Sequence, residues 1–590
     1  MLNRTRQVAL CCVPVVLVLA AFAAPAGAAS VVTISPLAGA PAAMPETQIS
    51  FLGAAAPSLS SISVVGSRSG RHAGHLRSYS SATGASFLPN TPFTPGENVT
   101  VRALWRVGRS THAIGTHFKV AVPVAPPSTE FPPVPAKPGD VQSFLSEPTL
   151  HPPTVSVHQA AGAASAPGYL FAAPFIGPGQ WGPMIFDSAG NLVWFRAMPA
   201  GEDAADFQTQ VYHGKNDLTW WQGKTIILGY GLGEDVIANA NYRTVAVVKA
   251  GNGLPTDEHE FSVLPNGAAL VTAYGPVQED LSSVGGAAGS AAVNGALQEI
   301  DIHTGLVMWE WDSLGHVALA DSYSKPPATA GNYFDYFHIN SAQALKEGNF
   351  LISARNTWGL YELNGHTGQI IWQLGGKRSS FALGAGVPFA YQHNALMLPN
   401  GEISLFDDEG APPVKGPSRG ELIKLNTKAK TATLVGQLVR SPGVLTNSQG
   451  NTQALPGGGW MVGWGGLPNF TEFNAQGQPI YDAQLPSGED SYRVYRLPWA
   501  GQPTEPPAIA ATSTAGANAV YASWNGATTV ASWQLLTGAS ASQMTPVSTT
   551  PKGGFQTVIP APAAAFYEVR ALSPAGRVLG TSKAVAPTGG

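Results

Sequence analysis

With 590 residues, 12% of them charged, and with 67 glycines and 49 prolines, the chain is too long for one hydrophobic core and too turn-rich for long surface helices. This balance favours several β domains. The formal net charge of −4 is spread without basic or acidic runs, which excludes an electrostatic footprint for nucleic acid or for an anionic membrane surface. An anion site, if there is one, must be local.

At the N-terminus Arg4 and Arg6 precede an apolar stretch over residues 8–24 and the small residues Ala26, Gly27 and Ala28. This is the pattern of a secretory signal peptide over residues 1–28, cleaved after Ala28. The stretch is short for a membrane anchor, so a secreted protein is expected, extracellular or periplasmic. Both cysteines, Cys11 and Cys12, lie inside this signal, and the mature chain is expected to lack disulfides, a thiol nucleophile and a cysteine metal site. Residues 29–122 alternate apolar and polar positions, as in 47–52 and 98–105, between Gly, Pro and Ser turns. They predict an N-terminal β-sandwich. Residues 123–164 form a proline-rich linker and lead-in, whose run over 123–138 is expected to be extended, semi-rigid and unable to form central strands.

Residues 165–500 repeat themselves. A glycine followed four positions later by an aromatic occurs at Gly190 and Trp194, Gly305 and Trp309, Gly368 and Trp372, and Gly477 and Tyr481. A second motif, an apolar residue three positions before a turn glycine, occurs at 264–267, 345–348, 398–401 and 455–458, each followed by an apolar run. Its glycines lie 81, 53 and 57 residues apart, spacings suited to propeller blades of roughly 40 to 55 residues with insertions. The expected fold class is all-β: a central six-bladed β-propeller flanked by N-terminal and C-terminal β-sandwiches. A short linker over 501–507 precedes a fibronectin type III-like sandwich over 508–590.

Alignment on the glycine of the second motif brings unusual side chains into register. Eight positions before it stand His259, Asn340, His393 and Gly450; seven after it stand Tyr274, Arg355, Asp408 and Gly465. His338 lies two residues before Asn340, on the same face of a regular strand. In antiparallel hairpins these two ends meet at one rim, which gathers His259, His338, Arg355 and His393 around one axial mouth. A lone histidine is more often a turn or core residue, and His303 and His366, each in a His-Thr-Gly run, read as turns. The four clustered residues have no packing rationale. Asp407 and Asp408 suit a solvated strand end as well as a positioning role, and Trp358 and Trp464 suit packing as well as a stacking face for an aromatic ligand.

A neutral imidazole is a nucleophile near pH 7, a second histidine can shuttle a proton, and a guanidinium can grip tetrahedral anion oxygens. The set suits group transfer from an anionic ester. Three histidines could also hold zinc, but the adjacent arginine disfavours a cation, and no metal is expected. No glycine-rich phosphate loop lies between a strand and a helix, so no nucleotide and no other cofactor is expected.

The motifs around His259 (257–267), His338 (337–341), Arg355 (352–356), His393 (391–394) and Asp408 (404–408) resemble those of the bacterial arylsulfotransferase family, whose members use phenolic sulfate esters and not a nucleotide sulfate donor. The resemblance implies a ping-pong reaction between a phenolic sulfate donor and a phenolic acceptor through a sulfurylated histidine. It implies His393 as nucleophile, His338 and Arg355 as ligands of the sulfuryl oxygens, His259 as the acid and base for the phenolic oxygen, and Asn340 as an orienting residue. It also implies the N-terminal sandwich as a candidate homodimer contact. The lack of mature cysteines and the added C-terminal sandwich depart from the family pattern. Other readings of the same residues are a carbohydrate- or wall-binding propeller without turnover and a His/Arg lyase or hydrolase. A quinone-dependent dehydrogenase is disfavoured by the short repeat count and the missing cysteine pair.

Overall fold

A computed structural model describes residues 31–410, 412–514 and 517–589. The expected signal peptide, with Cys11 and Cys12, lies outside the described residues. Among those residues there is no α-helix, only short 3-10 turns between strands, and no helix is long and apolar enough to cross a membrane. The all-β class expected from the glycine and proline content is the one observed.

Two four-stranded sheets form the N-terminal unit, packed around Phe51, Phe87, Val99, Val101 and Phe118. Strand Asn98–Val107 shows the cause: Val99, Val101 and Ala103 are buried while Asn98, Thr100 and Arg102 are exposed, the period of two that one buried face requires. This unit docks on the rest of the chain. Leu37, Ala42 and Met44 join the core cluster of Trp309, Trp311 and Tyr274, and the Ser50 hydroxyl donates to the Val307 carbonyl at 2.5 Å.

Sheets of four, nine, four, five and five strands follow in chain order, antiparallel except where Tyr333–Phe334 and Ala382–Leu383 pair in parallel. The nine-stranded sheet divides at a single bridge between Gly233 and Thr256 into two parts, counted as the second and third sheets. In the third to sixth, the first strands are Thr256–Val263, Ile339–Ala344, His393–Met397 and Asn451–Ala454, and these lie beside one another in sequence. Tyr495–Leu497, near the end of this region, pairs with Tyr169–Ala172 at its beginning, so the last strand completes the first sheet. The arrangement is propeller-like. The second motif falls at the turn between first and second strands of the third to sixth sheets, and the Gly-to-aromatic motif opens the last strand of four sheets. Gly401 and Gly305 hold φ of 80° and 70° there, a region open to glycine at little cost.

The proline-rich run is extended, as its prolines require, but it is no free spacer. Three backbone bonds tie it to the sheets: Val124 N–H donates to the Pro276 carbonyl at 2.8 Å, Ile227 N–H to the Thr129 carbonyl at 2.8 Å, and Val134 N–H to the Ile176 carbonyl at 2.7 Å. Glu130 also pairs with Lys224 at 3.0 Å. The segment is a strap across the edges of three sheets. Ser156–Gln159, in the lead-in, adds an outer strand to the sixth sheet.

The C-terminal unit is again two four-stranded sheets, around Trp533, Leu535, Val520, Ile559 and Val569. Asn525 fixes it to the first propeller-like sheet, accepting from Phe195 N–H at 3.0 Å and donating to the Phe195 carbonyl at 2.8 Å.

Candidate active site

The rim where the first strands begin opens into a cavity of about 460 Å³, lined by His259, His338, Arg355 and His393 together. His259 lies within Thr256–Val263, His338 immediately precedes Ile339–Ala344, Arg355 immediately follows Phe350–Ala354, and His393 opens His393–Met397. Antiparallel pairing of Ile339 with Ala354 and of His393 with Phe406 puts strand starts and strand ends at the same rim. Four side chains far apart in sequence therefore converge.

Each histidine carries its own carboxylate at Nδ1. His259 meets Asp257 Oδ2 at 2.7 Å, His393 meets Asp408 Oδ2 at 2.8 Å, and His338 is bonded to Asp335 Oδ2. Such pairing fixes ring orientation and tautomer. The His259 and His338 rings are edge to face with centroids 4.9 Å apart. Tyr492 stands nearly perpendicular to His259 and to His393, with centroids at 5.2 and 6.3 Å.

The hydrogen-bond partners assign the His393 tautomer. Gln449 N–H donates to His393 Nε2 at 3.2 Å, and a ring nitrogen that accepts carries no proton, so in the neutral ring the proton is on Nδ1, toward Asp408. Burial, and after it the Arg355 charge, hold the His393 imidazole well below the usual histidine range. The ring is thus neutral at pH 7. Burial also lowers His259, against the opposing effect of the Asp257 carboxylate. Glu258, another lining residue, is pushed well above the usual carboxylate range by burial and by Asp203 and Asp257.

Arg355 is held on three sides. Its Nη1 donates to Asn356 Oδ1 at 3.0 Å, its Nη2 donates to the Asn447 carbonyl at 2.8 Å, and its guanidinium lies 4.7 Å from the Tyr391 ring centroid. Of the five donors a guanidinium carries, those not committed to these two bonds are available to an anion. Directly behind the histidines, Arg493 is fully buried and ties sheets together: it donates to Asp206 Oδ1 at 2.9 Å, to the His259 carbonyl at 2.9 Å and to Glu260 Oε2 at 3.1 Å.

Backbone strain collects at this rim. His338, Gln449 and Ile176 line the cavity with φ of 58°, 69° and 70°, a region that disfavours residues with a Cβ and most of all a β-branched one. Each costs on the order of 1–3 kcal/mol and persists where surrounding structure over-determines it.

The remaining sequence expectations fall into place or need correction. Asp408 and Asp407 are fully buried, not a solvated strand end; Asp408 holds His393 and Asp407 pairs with Arg419 at 3.0 Å. Asn340 does not line the cavity. The left-handed φ of His338 and a register shift between Ile339 and Ser341 break the alternation that would set Asn340 beside His338, and its amide instead donates to the Gln392 carbonyl at 2.7 Å. Trp358 does not line the cavity either: one face is stacked on Tyr323, with centroids 3.6 Å apart, and no ligand can share it. Trp464 is buried in the core, bonded to Thr471 at 3.0 Å. His303 and His366 are exposed turn residues. Sequence reading did not single out Asp257, Asp335, Tyr492, Arg493 or Phe131. Asp257 and Asp335 stand two and three residues before their histidines, a spacing that could have flagged them; Tyr492 and Arg493 reach the site only through closure of the first sheet by the chain end.

Fold and cavity define a propeller-like all-β protein with a rim built for anion chemistry. Residues 208–485 match the family model described as arylsulfotransferase (ASST). Comparison with curated proteins gave no match. Among solved structures the chain is similar to a protein of unknown function from Bacteroides caccae (14% identity over 56% of this chain and 98% of that chain, TM-score 0.34). It is also similar to a quinoprotein alcohol dehydrogenase-like protein from Bacteroides thetaiotaomicron (8%, 93% and 95%, 0.23) and to a GH43 protein from Bacillus licheniformis (8%, 65% and 88%, 0.27).

Proposed function

We propose that the protein transfers a sulfuryl group from a phenolic sulfate ester to a phenolic acceptor through a sulfurylated His393, without a nucleotide donor. The observation that carries this is the state of His393: a neutral ring with its proton directed to Asp408 at 2.8 Å and a lone pair on Nε2 at a cavity that also holds Arg355. The Gln449 N–H releases the Nε2 lone pair it donates to in the free protein, Nε2 attacks the sulfur, and the bond from sulfur to the aryl oxygen breaks. The phenolate leaves with the Nε2 proton of a His259 that enters this half-reaction as the imidazolium paired with Asp257. The sulfurylated ring is cationic, and Asp408, which burial holds well above the usual carboxylate range in the free protein, offsets that charge once it is ionised. Free donors of Arg355 are disposed to bind the sulfuryl oxygens as charge develops on them, joined by Nε2 of a protonated His338 and by the Gln449 N–H once it has left His393 Nε2. In the second half-reaction His259 takes the proton of the acceptor phenol, the new sulfur–oxygen bond forms, and the bond from sulfur to Nε2 breaks. The family match of residues 208–485 supports arylsulfotransferase activity, and export by the signal-like sequence over residues 1–28, toward extracellular or periplasmic phenols, is part of the same proposal.

The test is release of 4-nitrophenol from 4-nitrophenyl sulfate by the full chain, with and without an acceptor phenol. Steady release is expected to require the acceptor and to fall on the order of a thousandfold or more in His393→Asn. Equal release by that variant would sink the proposal.

A further inference from the structure

We infer that the proline-rich strap completes a binding subsite for the aromatic ring of the substrate, with Phe131 of the strap and Phe175 and Ile176 beneath it as the apolar wall. The inference deepens the sulfuryl-transfer reading and rests on it for the identity of the ring. Phe131, Phe175 and Ile176 line the same cavity as His393 and Arg355. An aryl sulfate has one anionic end and one apolar end. With the anionic end at Arg355 and His393, the ring is placed against the one apolar stretch of an otherwise polar wall, formed by Phe131, Phe175, Ile176, Ile227 and Leu228.

The strap holds this wall in place before any ligand arrives. Phe131 sits between two anchors, the Thr129 carbonyl that accepts from Ile227 N–H and the Val134 N–H that donates to Ile176. Pro132 and Pro133 follow it directly and remove backbone freedom. The second anchor is made to the strained residue itself: Ile176, at φ 70°, has its carbonyl paired with the strap at 2.7 Å. A β-branched residue in that conformation is costly, and the bond from Val134 helps to hold it there. Phe131 is only half-buried and Ile227, at the same mouth, is 45% exposed, so apolar surface is left uncovered beside a charged cavity. Phe131, Phe175 and Ile176 all precede residue 208, where the family match begins. The subsite is thus built outside the family match, by Phe131 of the strap and by Phe175 and Ile176 of the first part of the propeller-like region.

The experiment compares wild type, Phe131→Ala and Phe131→Leu as full chains, with thermal melts to confirm folding. It measures calorimetric binding of 4-nitrophenol and initial rates with 4-nitrophenyl sulfate. In Phe131→Ala the dissociation constant and KM are expected to rise about tenfold, with kcat falling by less than KM rises, and Phe131→Leu is expected to lie between. Unchanged binding and KM in both variants would overturn the subsite; if wild type transfers sulfuryl groups in that case, the functional reading survives without it. Phe131-dependent binding of 4-nitrophenol by a protein that releases nothing from the ester would leave the subsite standing and remove the sulfuryl reading. Wild type that neither binds nor releases 4-nitrophenol overturns both.

Discussion

The C-terminal sandwich and the histidine rim are made of the same secondary structure, yet they are stabilised in opposite ways. Strand Phe566–Leu572 buries alternate residues into a core of Trp533, Val520, Leu535 and Ile559, so dispersion and apolar burial account for it. Behind the rim, by contrast, a fully buried Arg493 is matched to Asp206 and Glu260, three histidines are matched to three carboxylates, and strained residues line the cavity. The comparison teaches that the rim is a polar network whose members depend on one another, whereas the sandwich is a core whose members add.

The largest effect that separates the two is expected at Arg493. Arg493→Met leaves the buried Asp206 and Glu260 without their cation and should lower unfolding stability by about 3–5 kcal/mol, with loss of activity, measured by urea unfolding and 4-nitrophenol release together. Trp533→Ala should cost a similar amount, about 3–5 kcal/mol, in a transition confined to the sandwich, yet leave kcat within about twofold because the site is distant. A parallel loss of activity there would show that the two regions are not independent. Next in size, Asp408→Asn puts an amide donor against His393 Nδ1 and forces the ring proton to Nε2, so kcat should fall about a hundredfold or more with little change in melting temperature. A stability loss without a kcat loss would make Asp408 a purely structural residue.

The smallest effect, taken per pH unit and per group, is a pH dependence. Burial pushes Glu421 and Glu489 up to about 9 from an ordinary 4.5, so the native protein keeps protons that the unfolded chain has released. The stability this contributes is complete below the unfolded value and is lost as pH rises through the folded value, on the order of 1 kcal/mol per pH unit for each group. Unfolding free energy should therefore decline between about pH 5 and 9, and Glu489→Gln should flatten that decline. A stability that rises over this window in both proteins would contradict the assigned direction.

What could be read in advance follows the same division. Alternation in 98–107 and 566–572 and the turn glycines of the third to sixth sheets are local signals, and they led to sandwiches and repeated hairpins. The first sheet carries no complete signal, since its closing strand pairs Tyr169 with Leu497, a contact between chain ends that no local pattern encodes. At the rim, register placed His259, Arg355, His393 and Asp408 together because both motif ends fall on one side of each hairpin. The same logic failed for Asn340, where the left-handed φ of His338 breaks the alternation. It failed again for Trp358, whose face is taken by Tyr323, and for Phe131, because a proline-rich run read as a spacer is in fact docked through backbone bonds to distant strands.

The central claim is that His393 Nε2 accepts the sulfuryl group, and donor-only incubation tests it most directly. Mixed rapidly with 4-nitrophenyl sulfate and no acceptor, the protein should release a burst of 4-nitrophenol stoichiometric with active sites and then stop. Mass spectrometry should find one SO3 group on the peptide that contains His393 and none in His393→Asn. Turnover with no burst and no modified His393, from a folded protein, would contradict the account.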